Sequence, residues 1–426
     1  MADSSCIGKE RVLGLAHSYL VTGLDVGTTK ICTIIAEVGH DAPPNVIGVG
    51  ISPCTGLKKG IVVDLEATTD AIRDATDKAE RMAGEEIRSV LVGVTGEHIA
   101  CLNSRSVVAI THPGREISSS DVERLMDTAR VIVLPPDREI VHAIPRWYSV
   151  DGQSGIRSPV GMHGNRLEVE THVVTGLSSF IQNVVKCVHQ AGLSVEATVL
   201  EPIATGESVL LPAEKDLGVA LVDIGGGTSD VAVYMEGQIY FSGVIPVGGN
   251  HVTRDIAVGL RTSIEEAERV KLEYGCATAD GIDELEAFEV TSLGSSNPRQ
   301  LPKKVLAEII EARMVEVCHL AMEEIEKAGC EDRLPAGLVL TGGGSQLGGL
   351  SELASIVTGL PARCSAPSSV TGLVDAISSP SCATAVGLIL YWARHWAGHA
   401  ADGNGSAFLN NVIRRIRELF ARISGD

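Results

Sequence analysis

Along this chain, short runs of consecutive apolar residues give way to stretches in which apolar positions recur every three or four residues, predicting strands and helices in turn. Residues 31–38, 217–224 and 231–234 read as buried strands, and 46–63 as strands around a turn at Pro53 and Gly56. From 65 to 83 the period lengthens. Ala67, Ala71, Ile72, Ala75, Ala79 and Met82 then share one helical face and Asp70, Arg73, Asp74 and Asp77 the other. A strand follows at 89–94. Residues 96–171 change rhythm, with short strands at 99–101, 106–110 and 140–147 around a helix at 119–131, and read as an inserted α/β module. Beyond it come a helix at 177–191, a strand at 195–200 ending in Glu201-Pro202, and a mostly helical stretch from 248 to about 329 that includes a helix at 263–272. A strand at 337–340 runs into Thr341-Gly342-Gly343-Gly344-Ser345, which is expected to open a helix. The pattern closes with a helix at 383–396, a small-residue tether at 397–406 and a helix at 407–423.

Two of the strand ends carry chemistry. Asp25-Val26-Gly27-Thr28-Thr29-Lys30 and Asp223-Ile224-Gly225-Gly226-Gly227-Thr228 each place an acid before a glycine turn. Glycine leaves no Cβ between backbone and ligand, so successive N–H groups can converge on phosphate oxygens while Thr28, Thr29 and Thr228 add hydroxyl donors. Asp25 and Asp223 would repel phosphate, and their natural task is to hold a hydrated Mg²⁺ that the phosphates share. The chain therefore reads as two similar halves closing on one nucleotide.

Composition narrows the classes. With 44% hydrophobic and 21% charged residues over 426 positions, the chain has the makings of several packed subdomains. A net charge of −19 argues against nucleic-acid binding by the surface as a whole. The ten cysteines show no CxxC pair and no partner histidines at zinc spacing, and read as reduced thiols. His98, His142, His163 and His172 show no ligand spacing and read as structural. The first twenty residues do not make a secretory signal, and no apolar run is long enough to span a bilayer, so a cytoplasmic protein is expected.

One glycine turn is weak evidence; three in order are not. The third, Gly342-Gly343-Gly344-Ser345, is placed to let an adenosine approach a helix start. The order and wording resemble the actin, sugar kinase and heat-shock chaperone superfamily. Glu201-Pro202 is similar to the Glu-Pro segment of chaperone ATPases and MreB, where a glutamate positions the attacking water. Read without that likeness, Glu201 is an acid at a strand end. Glu268 and Lys271 resemble the superfamily's adenosine-contacting helix, with Gly249 at the start of the preceding one; otherwise they lie on a solvated helix face with ion pairs three or four apart.

The last helix is different in kind. Phe408, Leu409, Val412, Ile413, Ile416, Leu419, Phe420 and Ile423 form an apolar stripe flanked by Arg414, Arg415, Arg417 and Arg422, on a helix too short and too charged to span. Such stripes usually pack into a core. The Gly403-Asn404-Gly405-Ser406 tether and the arginines beside two aromatics instead suit the interface of an anionic membrane.

At this density of likeness the chain resembles the FtsA family of bacterial cell-division proteins over nearly its whole length. The segments that carry it are Gly23 to Lys30, Asn45 to Gly50, Gly218 to Tyr234, Gly337 to Gly343 and Ala383-Thr384-Ala385-Val386-Gly387-Leu388. The resemblance implies an α/β actin-like ATPase fold of two duplicated RNase H-like lobes, with an SHS2-like subdomain 1C in place of 1B. On this reading, 1–20 is an N-terminal extension, 21–95 and 172–205 form subdomain 1A, and 96–171 forms 1C. Residues 206–247 and 335–378 form 2A, 248–334 form 2B, 379–396 return to 1A, 397–406 link, and 407–426 target the membrane. The family tethers the FtsZ ring to the inner membrane at midcell, polymerises and recruits later divisome proteins. ATP with Mg²⁺ is implied between the lobes, and Asp223 and Glu201 as the catalytic candidates. Some members have Glu where this chain has Asp25, and many have Ala or Gly where it has Glu201, so hydrolysis is left open. Subdomain 2B is where the family receives the FtsZ C-terminal tail, and Arg299, Lys303, Lys304 and Arg313 form a local basic cluster there, or else a solvated helix face. Two alternatives stay open: a PilM-like type IV pilus assembly protein, and a sugar or acetate kinase on the same core.

Overall fold

The computed structural model of the chain describes residues 10–13, 16–39, 42–110, 115–294 and 297–401. Its two largest sheets repeat one plan. In the first, Ala16–Val26, Lys30–Val38 and Asn45–Pro53 form an antiparallel meander. Ser89–Val94 and Ser194–Leu200 then add in parallel on the side of Ala16–Val26. In the second, Val219–Ile224, Ser229–Met235 and Gln238–Ile245 form the meander, and Leu338–Thr341 and Ala362–Cys364 add in parallel on the side of Val219–Ile224. In both, the first hairpin presents its glycine turn at the same end of the sheet. The sequence duplication is thus a duplication of structure.

Both faces of each sheet are buried, which is why the strands read as unbroken apolar runs. In the first lobe, Ile34 and Ala36 pack under Val386, Ile389 and Trp392 of the helix Ala383–Ala401. Ile31 and Ile35 point the other way, onto Ile72 and Ala75 of Leu65–Ala83 and Val184 and Val188 of Ser178–Gln190. The helix Leu65–Ala83 starts where Asp64 accepts a hydrogen bond from the Ala67 N–H and stops at left-handed Gly84. In the second lobe, Val222, Ile224, Val231 and Val233 pack on Val252 and Ile256 of Gly249–Leu260 and on Leu306 and Ile310 of Lys303–Lys327.

Several expectations need correction. Residues 99–101 and 106–110 belong to one strand, Ala100–Ala109, because polar Asn103, Ser104 and Arg105 sit on a half-exposed sheet-edge strand where they need no burial. Its partner, Arg166–Leu177, runs straight through the boundary expected at 171, and lies between Ala100–Ala109 and Arg138–Val150 in a four-stranded antiparallel sheet. The stretch expected to be mostly helical after 248 also contains a hairpin, Ala287–Thr291 with Pro298–Pro302. The Gly342 turn enters only a short 3₁₀ turn, Gly343–Gln346, and the α-helix begins at Leu350. Finally, the helix from Ala383 continues to Ala401, five residues past Trp396, since no proline stops it there. The segment 402–426, with the expected amphipathic helix, lies outside the described residues. None of the described helices is long and apolar enough to cross a membrane.

Candidate functional site: a cleft between two glycine hairpins

The two hairpin turns meet. Each is closed in the same way, Gly27 N–H to Lys30 O at 3.1 Å and Gly225 N–H to Thr228 O at 2.9 Å. A Cβ built on Gly227 would stand 2.7 Å from Thr28 Oγ1, and one on Gly226 would strike Thr29. These glycines are therefore required by the close approach of two lobes. Behind them, the helix Gly249–Leu260 begins on the second turn. Gly249 N–H donates to Gly225 O at 2.9 Å and Asn250 N–H to Gly226 O at 2.8 Å, so the turn's carbonyls satisfy the helix's first N–H groups. Lys271 donates to Thr253 Oγ1 at 2.9 Å and to Gly249 O at 3.3 Å and pairs with Glu268 at 2.7 Å. Glu268, Lys271 and Gly249 thus form one cluster beside the turn. From the other side, Gly342 at φ 81° lies so close to Asp223 Oδ1 that a side chain there would strike it, and Gly343, Gly344 and Ser345 continue that wall.

The floor is acidic. Asp25 and Asp223 are each 7% exposed at the ends of their strands. Thr205 Oγ1 donates to Asp223 Oδ2 at 2.9 Å and Thr384 Oγ1 reaches it at 3.3 Å. Glu201 is the first residue of the helix Glu201–Val209, not the last of a strand, and its Oε1 is buried without a hydrogen-bond partner. Gly93 makes room for it: a Cβ there would stand 3.0 Å from Glu201 Cγ. A fourth carboxylate, Asp230, accepts from Thr95 Oγ1 across the two lobes. Lys30, expected at the phosphates, donates its ammonium to Ser381 O and tempers the charge of Asp25 and Asp223.

Burial with too little positive charge pushes these acids up. Desolvation raises Asp25 to about 7 and Asp230 to about 8, raises Asp223, and raises Glu201 well above the ordinary carboxylate range, with the neighbouring acids adding to all but Asp223. Between the ordinary Asp value of 3.8 and these raised values, the folded cleft holds more protons than the unfolded chain. The contribution of these acids to the stability of the cation-free protein therefore falls as pH rises from about 4 to about 8. A divalent cation held there would relieve that cost, and the unpartnered Oε1 of Glu201 among these acids is the kind of oxygen donor such an ion takes. Among the described residues no three acidic, His or Cys side chains converge as direct ligands.

Asp230 and Thr95 escaped sequence reasoning. Asp230 is the Cα partner of Asp223 across the hairpin, where the first lobe has Cys32 opposite Asp25. An acid inside the otherwise buried strand Ser229–Met235 was the available signal. Of the expected histidines, half-buried His142 accepts from Leu200 N–H at 3.0 Å, and buried His172 sits between Asn103 and Ser242 at 3.0 Å from each. The nine described cysteines carry no disulfide. Three of the four cations expected to act together have partners of their own within the domain. Arg299 donates to Leu260 O on the hairpin side, Lys303 pairs with Glu286 at 3.0 Å, Lys304 stands half-buried beside it, and Arg313 binds Asp255 at 2.6 Å and Glu316.

Comparison with known proteins places this architecture. The profile "Cell division protein FtsA" matches residues 220–387, and "SHS2 domain inserted in FTSA" matches 96–175. The Cell division protein FtsA of Pseudomonas aeruginosa is 44% identical over 404 residues, covering 93% of this chain and 96% of that protein. The chain belongs to the FtsA family of cell division proteins. The FtsA proteins of Escherichia coli K12 and Bacillus subtilis 168 are 40% and 41% identical, over 93% and 89% of this chain and 96% and 84% of theirs. Solved structures show the actin-like fold. A PilM–PilN type IV pilus biogenesis complex matches with TM-score 0.63 at 17% identity, over 87% of this chain and 98% of that one. MreB5 of Spiroplasma citri, solved bound to ADP, matches with TM-score 0.52 at 16% identity, over 90% of this chain and 98% of that one. The PilM likeness is thus one of fold alone, while the sequence likeness is to FtsA, whose inserted SHS2 domain corresponds to the sheet built on Arg166–Leu177.

Proposed function

We propose that this FtsA-family chain binds ATP in the cleft, self-assembles through its actin-like body, and links FtsZ to the cytoplasmic face of the membrane at midcell, where it recruits later divisome proteins. The observation that carries the nucleotide reading is the pairing of two glycine hairpins from duplicated lobes over a buried, under-compensated acidic floor. Backbone N–H groups and hydroxyls of Thr28, Thr29, Gly226, Gly227 and Thr228 receive phosphate oxygens, with Gly27 and Gly225 closing the two turns beneath them and Lys30 behind. Asp25 and Asp223 hold hydrated Mg²⁺, which supplies positive charge shared with the phosphates. Were ATP hydrolysed there, Glu201 would be the residue to orient the water and Asp223 would help hold the metal. The adenosine lies against Gly249, Glu268, Lys271 and Gly342 to Ser345.

For the FtsZ tail, residues 248–334 are the proposed seat, with Arg299, Lys303, Lys304 and Arg313 meeting its acidic groups. Exchange of an intramolecular ion pair such as Lys303–Glu286, whose members are 32% and 52% exposed, costs little at a solvated surface. Retention of an FtsZ C-terminal peptide by the full chain, and its loss on combining Arg299→Glu with Lys303→Glu, is the expected result. Equal retention by the variant removes these cations from the interface.

The tail at 407–426 is the proposed membrane anchor. Interfacial burial of its apolar stripe is partial and ordering opposes it, so one tail binds reversibly and an array of tails binds firmly. Deleting residues 408–423 is expected to release the protein from vesicles rich in anionic lipid, with nucleotide affinity unchanged. Sedimentation with vesicles at wild-type levels by the truncated chain contradicts the assignment.

A further inference from the structure

The short hairpin of Leu57–Lys58 and Ile61–Val62 turns through Lys59 and Gly60, with φ of 52° and 76°. Positive φ at both central positions is type I′ geometry, which favours Asn-Gly and disfavours a long side chain at the first place. A lysine held there against its conformational preference invites the question of what it does. The turn touches both glycine hairpins. Gly60 N–H donates to Thr28 Oγ1 at 3.1 Å, and Lys59 Cα stands 3.1 Å from where a Cβ of Gly227 would lie. It also touches the root of the inserted module. A Cβ on Gly60 would stand 2.9 Å from Gly96 Cα, and Lys59 Nζ lies 3.6 Å from Glu97 Oε2.

We propose that Lys59 is a phosphate-binding residue of the cleft, its ammonium leaving Glu97 for the terminal phosphate of a bound nucleoside triphosphate. This rests on the nucleotide reading of the cleft and extends it to a residue outside the glycine motifs. Lys30 is committed to Ser381 O and to the acidic floor, so a cation on the rim is needed to balance the outermost phosphate. Lys59 is on that rim. Its pair with Glu97 is open to water, at 37% and 46% exposure, and is weak enough to be traded for a multiply charged phosphate. Glu97 directly follows Gly96, whose φ of 132° marks the chain's entry into the inserted module. Gain and loss of the terminal phosphate therefore release and restore a contact at the module's root, which gives the module a report of nucleotide state.

The test compares affinities of the full chain for a non-hydrolysable ATP analogue and for ADP, each with Mg²⁺. Lys59→Asn puts the favoured residue at this positive φ and is expected to weaken the ATP analogue about tenfold, the loss of one charge-assisted contact, while leaving ADP affinity unchanged and the melting temperature no lower. Lys59→Arg retains the preference for triphosphate, and Glu97→Gln tightens the ATP analogue by removing its competitor. Unchanged ATP-analogue affinity in Lys59→Asn, or an equal loss for both nucleotides, overturns the proposal while the nucleotide reading stands. A wild-type chain that binds neither nucleotide overturns both.

Discussion

Asp223→Ala is expected to weaken binding of Mg·ATP by about 100-fold or more, which corresponds to roughly 3 kcal/mol. The carboxylate is fixed by Thr205 and Thr384 and walled by Gly342, and in the proposed site it shares with Asp25 the holding of the hydrated cation. No neighbouring residue replaces it. Asp230 is hydrogen-bonded to Thr95, and Glu201 heads the helix Glu201–Val209 rather than lying on the strand of Asp223. The fold should survive, because the substitution leaves the backbone pairing of Val219–Ile224 with both neighbours intact. Without nucleotide and Mg²⁺ the variant should even gain thermal stability, more at pH 8 than at pH 5, since it deletes a buried carboxylate whose pKa folding has raised. Titration calorimetry and melting curves at the two pH values check both halves. Wild-type Mg·ATP affinity would remove Asp223 from metal binding.

Gly387→Val should produce the largest loss of stability. The helix Ala383–Ala401 crosses Glu201–Val209 with Gly387 at the contact, where any Cβ would overlap the backbone carbonyl of Ala204. Backbone cannot step aside as a flexible side chain can, so the two helices must separate. The expected cost is about 3 kcal/mol or more, a fall in melting temperature of roughly 3 °C or more for a chain of this length. Because Glu201 and Thr205 ride on the displaced helix, nucleotide affinity should fall with it. Differential scanning calorimetry decides, and a wild-type melting temperature would contradict the close crossing. Gly387→Ala should shift in the same direction by less.

Much of this was legible in the sequence because its main elements are locally determined. Leu65–Ala83 carries its own cap, amphipathic face and glycine stop, and the paired Asp-x-Gly turns announce two hairpins. The elements that escaped depend on partners distant in the chain. Arg166–Leu177 alternates weakly on its own, and becomes a strand because Ala100–Ala109 and Arg138–Val150 pair with it on both sides. The same holds for the site. Phosphate and metal candidates announced themselves by glycine and aspartate spacing, whereas Asp230, Thr95 and Lys59 acquire meaning only when the lobes close. Conversely, the basic cluster around 299–313 looked coherent as a string of cations, and folding gives three of its members separate partners inside the domain.

The central claim is that one nucleotide is gripped by two glycine hairpins from duplicated lobes. A crystal structure of the chain grown with a non-hydrolysable ATP analogue and Mg²⁺ tests it most directly. The account predicts the phosphates between Gly27–Lys30 and Gly225–Thr228, with a hydrated metal ion bridging them to Asp25 and Asp223. Nucleotide bound elsewhere, or in the cleft with its phosphates turned away from both hairpins, would contradict it.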